Sequence, residues 1–196
     1  MPTTISEWDE KHGQQGDRHD QPSTILGELL PLLPVGAALD LACGTGRNAL
    51  LLAARQAVTA VDSSTVALDV AERHAQRASL PVSRGARIES PKSGLHLVQA
   101  DLESSEIVSG DFSLIVCIKY LQRSLFREIE KALAPGGMLL FETYTKAQLA
   151  CAAEPRNPEY LLDPGELQTA FPELQIVFYR ELRAGSGIAS LLAKKK

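Results

Sequence analysis

The chain reads as an α/β domain built on a mostly parallel sheet with an antiparallel pair at its end. Three observations predict this. From Val35 onward, short apolar runs alternate with segments of helical period, the pattern of successive strand–helix–strand units. A glycine-rich stretch, "ACGTGRN", joins the first run to its helix. The ending, "LQIVFYRELRAGSGIASLLA", holds two strand-like runs around a glycine-containing turn, so the last strand runs antiparallel.

Composition narrows the class. A chain of 196 residues with 44% hydrophobic content fits one soluble globular domain with a core of its own. Its 24 acidic and 20 basic residues give a net charge of -4 and are spread rather than blocked, which argues against an extended surface for nucleic acid. Cys43, Cys117 and Cys151 are odd in number and lack CxxC or His–Cys spacing, so a reducing compartment and no metal site are expected. The N-terminus has no apolar signal core, and no run approaches the roughly 18 apolar residues of a membrane span. A cytoplasmic protein without a membrane partner is expected.

The elements follow in order. Residues 1–21 are polar and carry the only tryptophan, Trp8; they read either as a loose terminus or as a flap over a site, ahead of a single domain at 22–196. "PSTILGELLPLL" places Pro22 in a first-turn position and repeats apolar residues at Ile25, Leu26, Leu29, Leu30 and Leu33, predicting a helix kinked or ended at Pro31. "AALDLA" is the first strand, "RNALLLAARQ" its helix and "AVTAVD" the second strand. The helix "SSTVALDVAERHAQRA" carries Val66, Ala67, Val70, Ala71 and His74 or Ala75 on one face, which makes His74 a packing residue. Pro, Gly and Ser in residues 79–94 predict an irregular surface loop. "LHLVQAD" and "DFSLIVCI" are the third and fourth strands, "SLFREIEKALA" a helix stopped by "PGG", and "MLLFETY" the fifth strand. In "DPGELQTAF", Asp163 as N-cap, Pro164 and Glu166 form a capping-box pattern that predicts a further helix. Lys194 to Lys196 read as a solvated tail protecting an edge strand, compatible with a monomer or a homodimer.

The glycine-rich turn suits two nucleoside ligands. From Gly44 it spells G-x-G-x-x-A, the dinucleotide fingerprint, in which a pyrophosphate lies over the helix N-terminus. Asp40, just before the turn, would repel that pyrophosphate. It suits instead the ammonium and sulfonium of S-adenosylmethionine. Asp62 ends the second strand, where a carboxylate accepts ribose hydroxyls, though it also reads as an N-cap. Asp101 ends the third, placed for the adenine amine, with the Leu102 amide beside it; Asp is equally common in plain turns. Three acids at the carboxyl ends of three successive strands are far more specific than the glycines.

With these residues the sequence resembles the class I S-adenosylmethionine-dependent methyltransferases over nearly its whole length, through "LDLACGTGRN", "VTAVD", "QADLE", "DFSLIVCIKYL", "LAPGGMLLFET" and the terminal strand pair. The resemblance implies a Rossmann-like three-layer α/β/α sandwich whose seven-stranded sheet has a reversed last strand, with S-adenosylmethionine bound and S-adenosylhomocysteine released. By analogy Asp40, Gly44 and Gly46 line the methionine end, Asp62 holds the ribose, and Asp101 and Leu102 hold the adenine. Ile118 and Lys119 lie beside the reactive sulfur, and Ala42, Cys43, Asn48 and Ser63 are further cofactor-binding candidates. The family more often has glycine at position 42. "GRN", "WDEKHG" and the short length are similar to the tellurite-resistance-type small-molecule methyltransferases, which implies a small-molecule methyl acceptor.

A methyl on sulfonium is already activated, so alignment and exclusion of water are the main tasks and no catalytic triad is required. Tyr120, Arg123, Tyr144 and Arg156 are the substrate-side candidates, with Trp8 as an apolar lid and His12 or His19 as flap bases. The two arginines favour an anionic acceptor. Two other readings stay open: a non-catalytic nucleoside-binding module, and an NAD-dependent oxidoreductase. Tyr144 and Lys146 have the wrong spacing for the Tyr-x-x-x-Lys pair of the latter.

Overall fold

The structure is a computed structural model and describes residues 4–15, 21–90, 92–104, 112–150, 155–182 and 187–196. Among the described residues eight strands form one sheet: β1 (Ala38–Leu41), β2 (Val58–Asp62), β3 (Val82–Gly85), β4 (Leu95–Gln99), β5 (Phe112–Ile118), β6 (Leu133–Tyr144), β7 (Leu174–Leu182) and β8 (Ile188–Lys195). Their order is β3-β4-β2-β1-β5-β6-β8-β7. β8 alone is reversed, pairing antiparallel with both β6 and β7. The expected mostly parallel sheet with an antiparallel last strand is present, with one strand more than the seven expected.

The additional strand is β3. It falls in the stretch 79–94 that its Pro, Gly and Ser mark as irregular, and it pairs parallel with β4 from Val82↔Leu95 to Gly85↔Val98. An edge strand needs partners on one side only and tolerates polar residues, so composition hid it.

Among the described residues five α-helices accompany the sheet: α1 (Ile5–Gln15), α2 (Thr24–Leu29), α3 (Arg47–Ala53), α4 (Thr65–Arg77) and α5 (Phe126–Ala132). The central strand shows how sequence sets the layers. Leu39 and Leu41 point into one core with Ile129 of α5, Phe141 and Phe171; Ala38 points into the other with Ile25 and Leu26 of α2, Leu52 of α3 and Leu68 and Ala71 of α4. Asp40 shares the parity of Ala38, so it lies on the α2–α3 side with 1% of its surface exposed. His74 is buried on α4, as its place on the apolar face predicted.

The helix after Pro22 ends at Pro31 as expected: α2 stops at Leu29 and gives way to a single 3-10 turn, Leu30–Leu32, because Pro31 cannot extend an α-helix, while Pro22 lies ahead of the Ser23 N-cap and not in the first turn. Two further local expectations need correcting. The segment after Asp163 makes only a 3-10 turn, Glu166–Gln168. Half of the capping box forms, with the Asp163 amide donating to Glu166 Oε2 at 2.7 Å, but Gly165 at φ +76° turns the chain out of the helix. The lysine tail is exposed at Lys194 and Lys196, as expected, but it protects no edge strand: Lys194 and Lys195 belong to β8, an interior strand, and Lys195 Nζ donates to the Glu130 and Leu133 carbonyls at 2.7 and 2.6 Å, capping the end of α5. The edge strand on this side of the sheet is β7, with Ile176 and Val177 at its surface.

Among the described residues no helix is long and apolar enough to cross a membrane. None of their His, Cys, Asp and Glu side chains cluster as a metal site.

Candidate active site

β1 pairs with β2 on one side and β5 on the other, so the chain changes direction across the sheet here. The carboxyl ends of strands flanking such a point form a ready-made crevice. A cleft of about 560 Å³ lies there, and its walls include Ala42, Cys43, Gly44, Asp62, Asp101 and Ile118. Thr45, Asn48, Ser63 and Leu102 complete the strand-end side.

The turn between β1 and α3 is tightly wound. Ala42 has φ +54°, a left-handed conformation that L residues adopt at a cost of about 1–2 kcal/mol. This is the backbone requirement that glycine satisfies freely, and the extra methyl does not prevent the turn from forming. Gly46, at φ +79°, caps α3; a Cβ there would lie 2.8 Å from the Ala71 Cβ. It therefore sets the α3–α4 approach and is absent from the cleft wall.

The turn's amides are already engaged. Cys43 N donates to the Val61 carbonyl (2.9 Å), Gly46 N to the Cys43 carbonyl (3.0 Å) and Gly44 N to Asp62 Oδ2 (2.7 Å). A pyrophosphate would need those donors, and a carboxylate already holds one of them. Asp62 Oδ1 accepts from the Ser64 amide at 2.9 Å, while the N-cap of α4 is Ser64, whose hydroxyl accepts from Ala67 N at 3.1 Å. Burial raises the Asp62 pKa, opposed by these amide hydrogen bonds and by His12.

Asp40 does not reach the cleft wall. It is buried beneath the turn, its Oδ2 has no hydrogen-bond partner among the described residues, and burial pushes its carboxyl up to about 7, opposed by the Arg47 charge and the Ala49 amide. An orphaned acceptor below the turn fits a cationic ligand. The mixed apolar and acidic crevice above it therefore suits S-adenosylmethionine, whose ammonium would lie near the buried Asp40 carboxyl. Asp101 accepts from Glu103 N at 2.9 Å in a turn and still faces the cleft, so its turn and site readings coexist.

On the opposite wall stand Tyr120 and Tyr144. Tyr120 donates to Gln122 Oε1 at 2.6 Å, and Gln122 Nε2 donates in turn to the Leu102 carbonyl at 3.1 Å. Burial pushes both phenols above their usual range. Lys119, at φ +63°, holds strained backbone where β5 ends. Above them, α1 forms the roof through Trp8, Lys11 and His12, with Trp8 and His12 stacked 5.8 Å apart and Lys11 Nζ 4.3 Å over the indole. His19 lies outside the described residues, as does Cys151.

The two arginines expected on the substrate side are elsewhere. Arg123 clamps the segment after β6: Nε and Nη2 donate to Glu166 at 2.6 and 2.9 Å, and Nη1 and Nη2 donate to the Glu159 and Leu161 carbonyls. Arg156 is exposed and outside the cleft wall, where its neighbour Pro155 stands. The arginine at the cleft is Arg47, the first residue of α3. Its position inside "GTGRN" was the available signal.

Comparison with known proteins agrees with this geometry. The family described as methyltransferase domain matches residues 38–137. Among solved structures, TehB from Haemophilus influenzae is similar at TM-score 0.69 with 16% identity, covering 96% of this chain and 67% of that one. An S-adenosylmethionine-dependent methyltransferase from Mesorhizobium loti is similar at TM-score 0.65 with 20% identity over 88% and 98% of the two chains. The N-methyltransferase NodS from Bradyrhizobium japonicum WM9 is similar at TM-score 0.65 with 19% identity over 95% and 94%. Among curated proteins none matches the sequence.

Proposed function

The chain belongs to the methyltransferase domain family and is an S-adenosylmethionine-dependent enzyme, and on that premise we propose that it methylates a small molecule, held in the cleft beneath α1. The observation that carries this reading is the roofed crevice at the strand ends. About 560 Å³, roofed by Trp8, Lys11 and His12, accommodates one cofactor-sized ligand with little beyond a small acceptor.

S-adenosylmethionine, when bound, supplies an electrophilic methyl carbon: an acceptor lone pair forms the new bond as the carbon–sulfur bond breaks, and sulfur keeps that pair in neutral S-adenosylhomocysteine. The protein's share is placement. Asp40 lies beneath the methionine end, with the Gly44 and Cys43 backbone around it. Arg47 is the cation that the cofactor's carboxylate meets. Asp62 and Ser63 take the ribose, Asp101 and Leu102 the adenine, and Ile118 gives apolar contact near sulfur. Asn48 acts indirectly, its Oδ1 accepting from the Ser23 amide at 2.9 Å and tying α3 to α2. α1 closes as a flap, excluding water from the transfer.

Tyr120 and Tyr144, both raised by burial, stay protonated at neutral pH, so they position and donate rather than act as bases. An acceptor that arrives already ionised, or with a free lone pair, suits such a site. A small anion, a thiolate or a metalloid oxyanion meets that description, in a reducing cytoplasmic setting and without a nucleic-acid or membrane partner. Buried, unbridged Cys43 and Cys117 and a net charge of -4 support that setting.

Calorimetry with S-adenosylhomocysteine, followed by its release from S-adenosylmethionine across thiol, metalloid oxyanion, amine and carboxylate acceptors, tests the proposal. Turnover on one small acceptor class is expected. Failure of both sulfur nucleosides to bind at millimolar concentration overturns it, and binding without turnover on any acceptor makes the chain a nucleoside-binding module.

A further inference from the structure

A second cavity, of about 410 Å³, adjoins the cleft, with Arg47 and Lys119 in the walls of both. It lies between the start of α2, the end of β6 and β7–β8. Its polar boundary carries three cations, Arg47, Lys119 and Arg180, against two carboxylates, Glu28 and Glu142. Both carboxylates are engaged: Glu28 Oε2 accepts from Arg180 Nη1 at 3.1 Å, and Glu142 Oε2 accepts from Ser190 Oγ at 2.6 Å.

The unmet groups are donors. Among the described residues Arg180 Nε is buried without a hydrogen-bond partner, and so is the Ser23 hydroxyl. Buried donors left unsatisfied cost about 1–3 kcal/mol each, and a ligand rich in acceptor oxygens relieves them together. Apart from Thr24, the remaining wall is apolar, formed by Pro22, Ile25, Leu182 and Ile188. A bare inorganic oxyanion leaves that wall wet, whereas an organic acid covers it.

Resting on the methyltransferase reading of the adjoining cleft, we propose that this second cavity is the acceptor subsite and that it selects a small organic carboxylate. The carboxylate sits between Arg180 Nε and the Ser23 hydroxyl, its carbon skeleton lies against Ile25 and Ile188, and its nucleophilic end passes between Arg47 and Lys119 into the cleft. Ser23 is coupled to the cofactor turn through its amide bond to Asn48, so both ligands bear on one connected frame.

The test uses the full chain saturated with S-adenosylhomocysteine and titrated with phenylacetate, phenylacetamide and selenite. Phenylacetate is expected to bind about tenfold or more tighter than the isosteric amide and tighter than selenite. Arg180→Gln and Ser23→Ala should each shrink the acid-over-amide ratio to about threefold or less, with unchanged S-adenosylhomocysteine affinity reporting a folded cleft. Equal binding of acid and amide, a ratio that survives both substitutions, or tighter selenite binding overturns the carboxylate subsite while leaving the methyltransferase reading in place. Loss of S-adenosylhomocysteine binding in the unmodified chain instead overturns the reading on which this one rests.

Discussion

Asp9 Oδ1 accepts a hydrogen bond from Ser64 Oγ at 2.6 Å, linking α1 to the N-terminus of α4 two residues past the Asp62 carboxylate. The roof of the cleft is thus fastened to the helix that follows the ribose-side strand. A capping box reinforces α1 itself, with the Thr4 amide donating to Glu7 Oε2 at 3.0 Å and the Glu7 amide to Thr4 Oγ1 at 3.3 Å.

Asp9→Ala should loosen that roof. Losing one charged hydrogen bond corresponds to about 1.5–3 kcal/mol, much of it appearing as weaker ligand binding. Trp8 is the only tryptophan, so its emission reports α1 directly. A red shift in the free variant and at least about fivefold weaker S-adenosylhomocysteine binding are expected; an unchanged spectrum with unchanged affinity refutes the fastening.

Ala42→Gly should stabilise the protein. Relief of the left-handed alanine is offset in part by the greater freedom of glycine in the unfolded chain, leaving a net gain of about 0.5–1 kcal/mol. Urea unfolding measures it. A fall in midpoint would show that the Ala42 methyl packs more usefully than its backbone angle suggests.

Asp40 should make the empty protein less stable as pH rises. Its folded pKa, about 7, lies above its ordinary value of 3.8, so the native state retains a proton that the unfolded chain has released. The penalty is absent below the unfolded value, grows through the window between the two and is complete above the folded one. Asp40→Asn should therefore flatten the stability change between pH 5 and pH 8 by about 2–3 kcal/mol, read from denaturant titrations at both pH values. The same variant should bind S-adenosylmethionine at least about tenfold more weakly.

Arg123 and Arg47 should separate stability from binding. Arg123→Ala removes a partly exposed clamp on Glu166 and should cost about 1 kcal/mol after solvent screening, with KM for S-adenosylmethionine within about twofold of the parent. Arg47→Ala should leave the unfolding midpoint nearly unchanged and raise that KM by about tenfold. The reverse pattern would return Arg123 to the substrate side.

The mostly parallel sheet and its antiparallel end were legible because hydrophobic period and strand-end acids are local properties of the sequence. The spacing of Asp40, Asp62 and Asp101 survived folding as three acids around one crevice region, two on its wall and one beneath it. What escaped depended on distant partners. β3 is a strand because β4 offers it an edge, and Asp163 starts no helix because Gly165 reverses the backbone. The choice between Arg47 and Arg123 hinged on Glu166, 43 residues further along the chain, which captures one guanidinium and leaves the other to the cleft. No periodicity announces such a pairing.

Gly46 answers to a neighbouring helix rather than to a ligand. With Ala71 standing where its side chain would be, this glycine is enforced by folding in every descendant of the sequence that keeps α3 against α4, whether or not that descendant still transfers methyl groups. Within the turn, inheritance of activity is therefore better traced through Asp40 and Arg47, which loss of function would release to drift, than through the glycine that makes the motif recognisable.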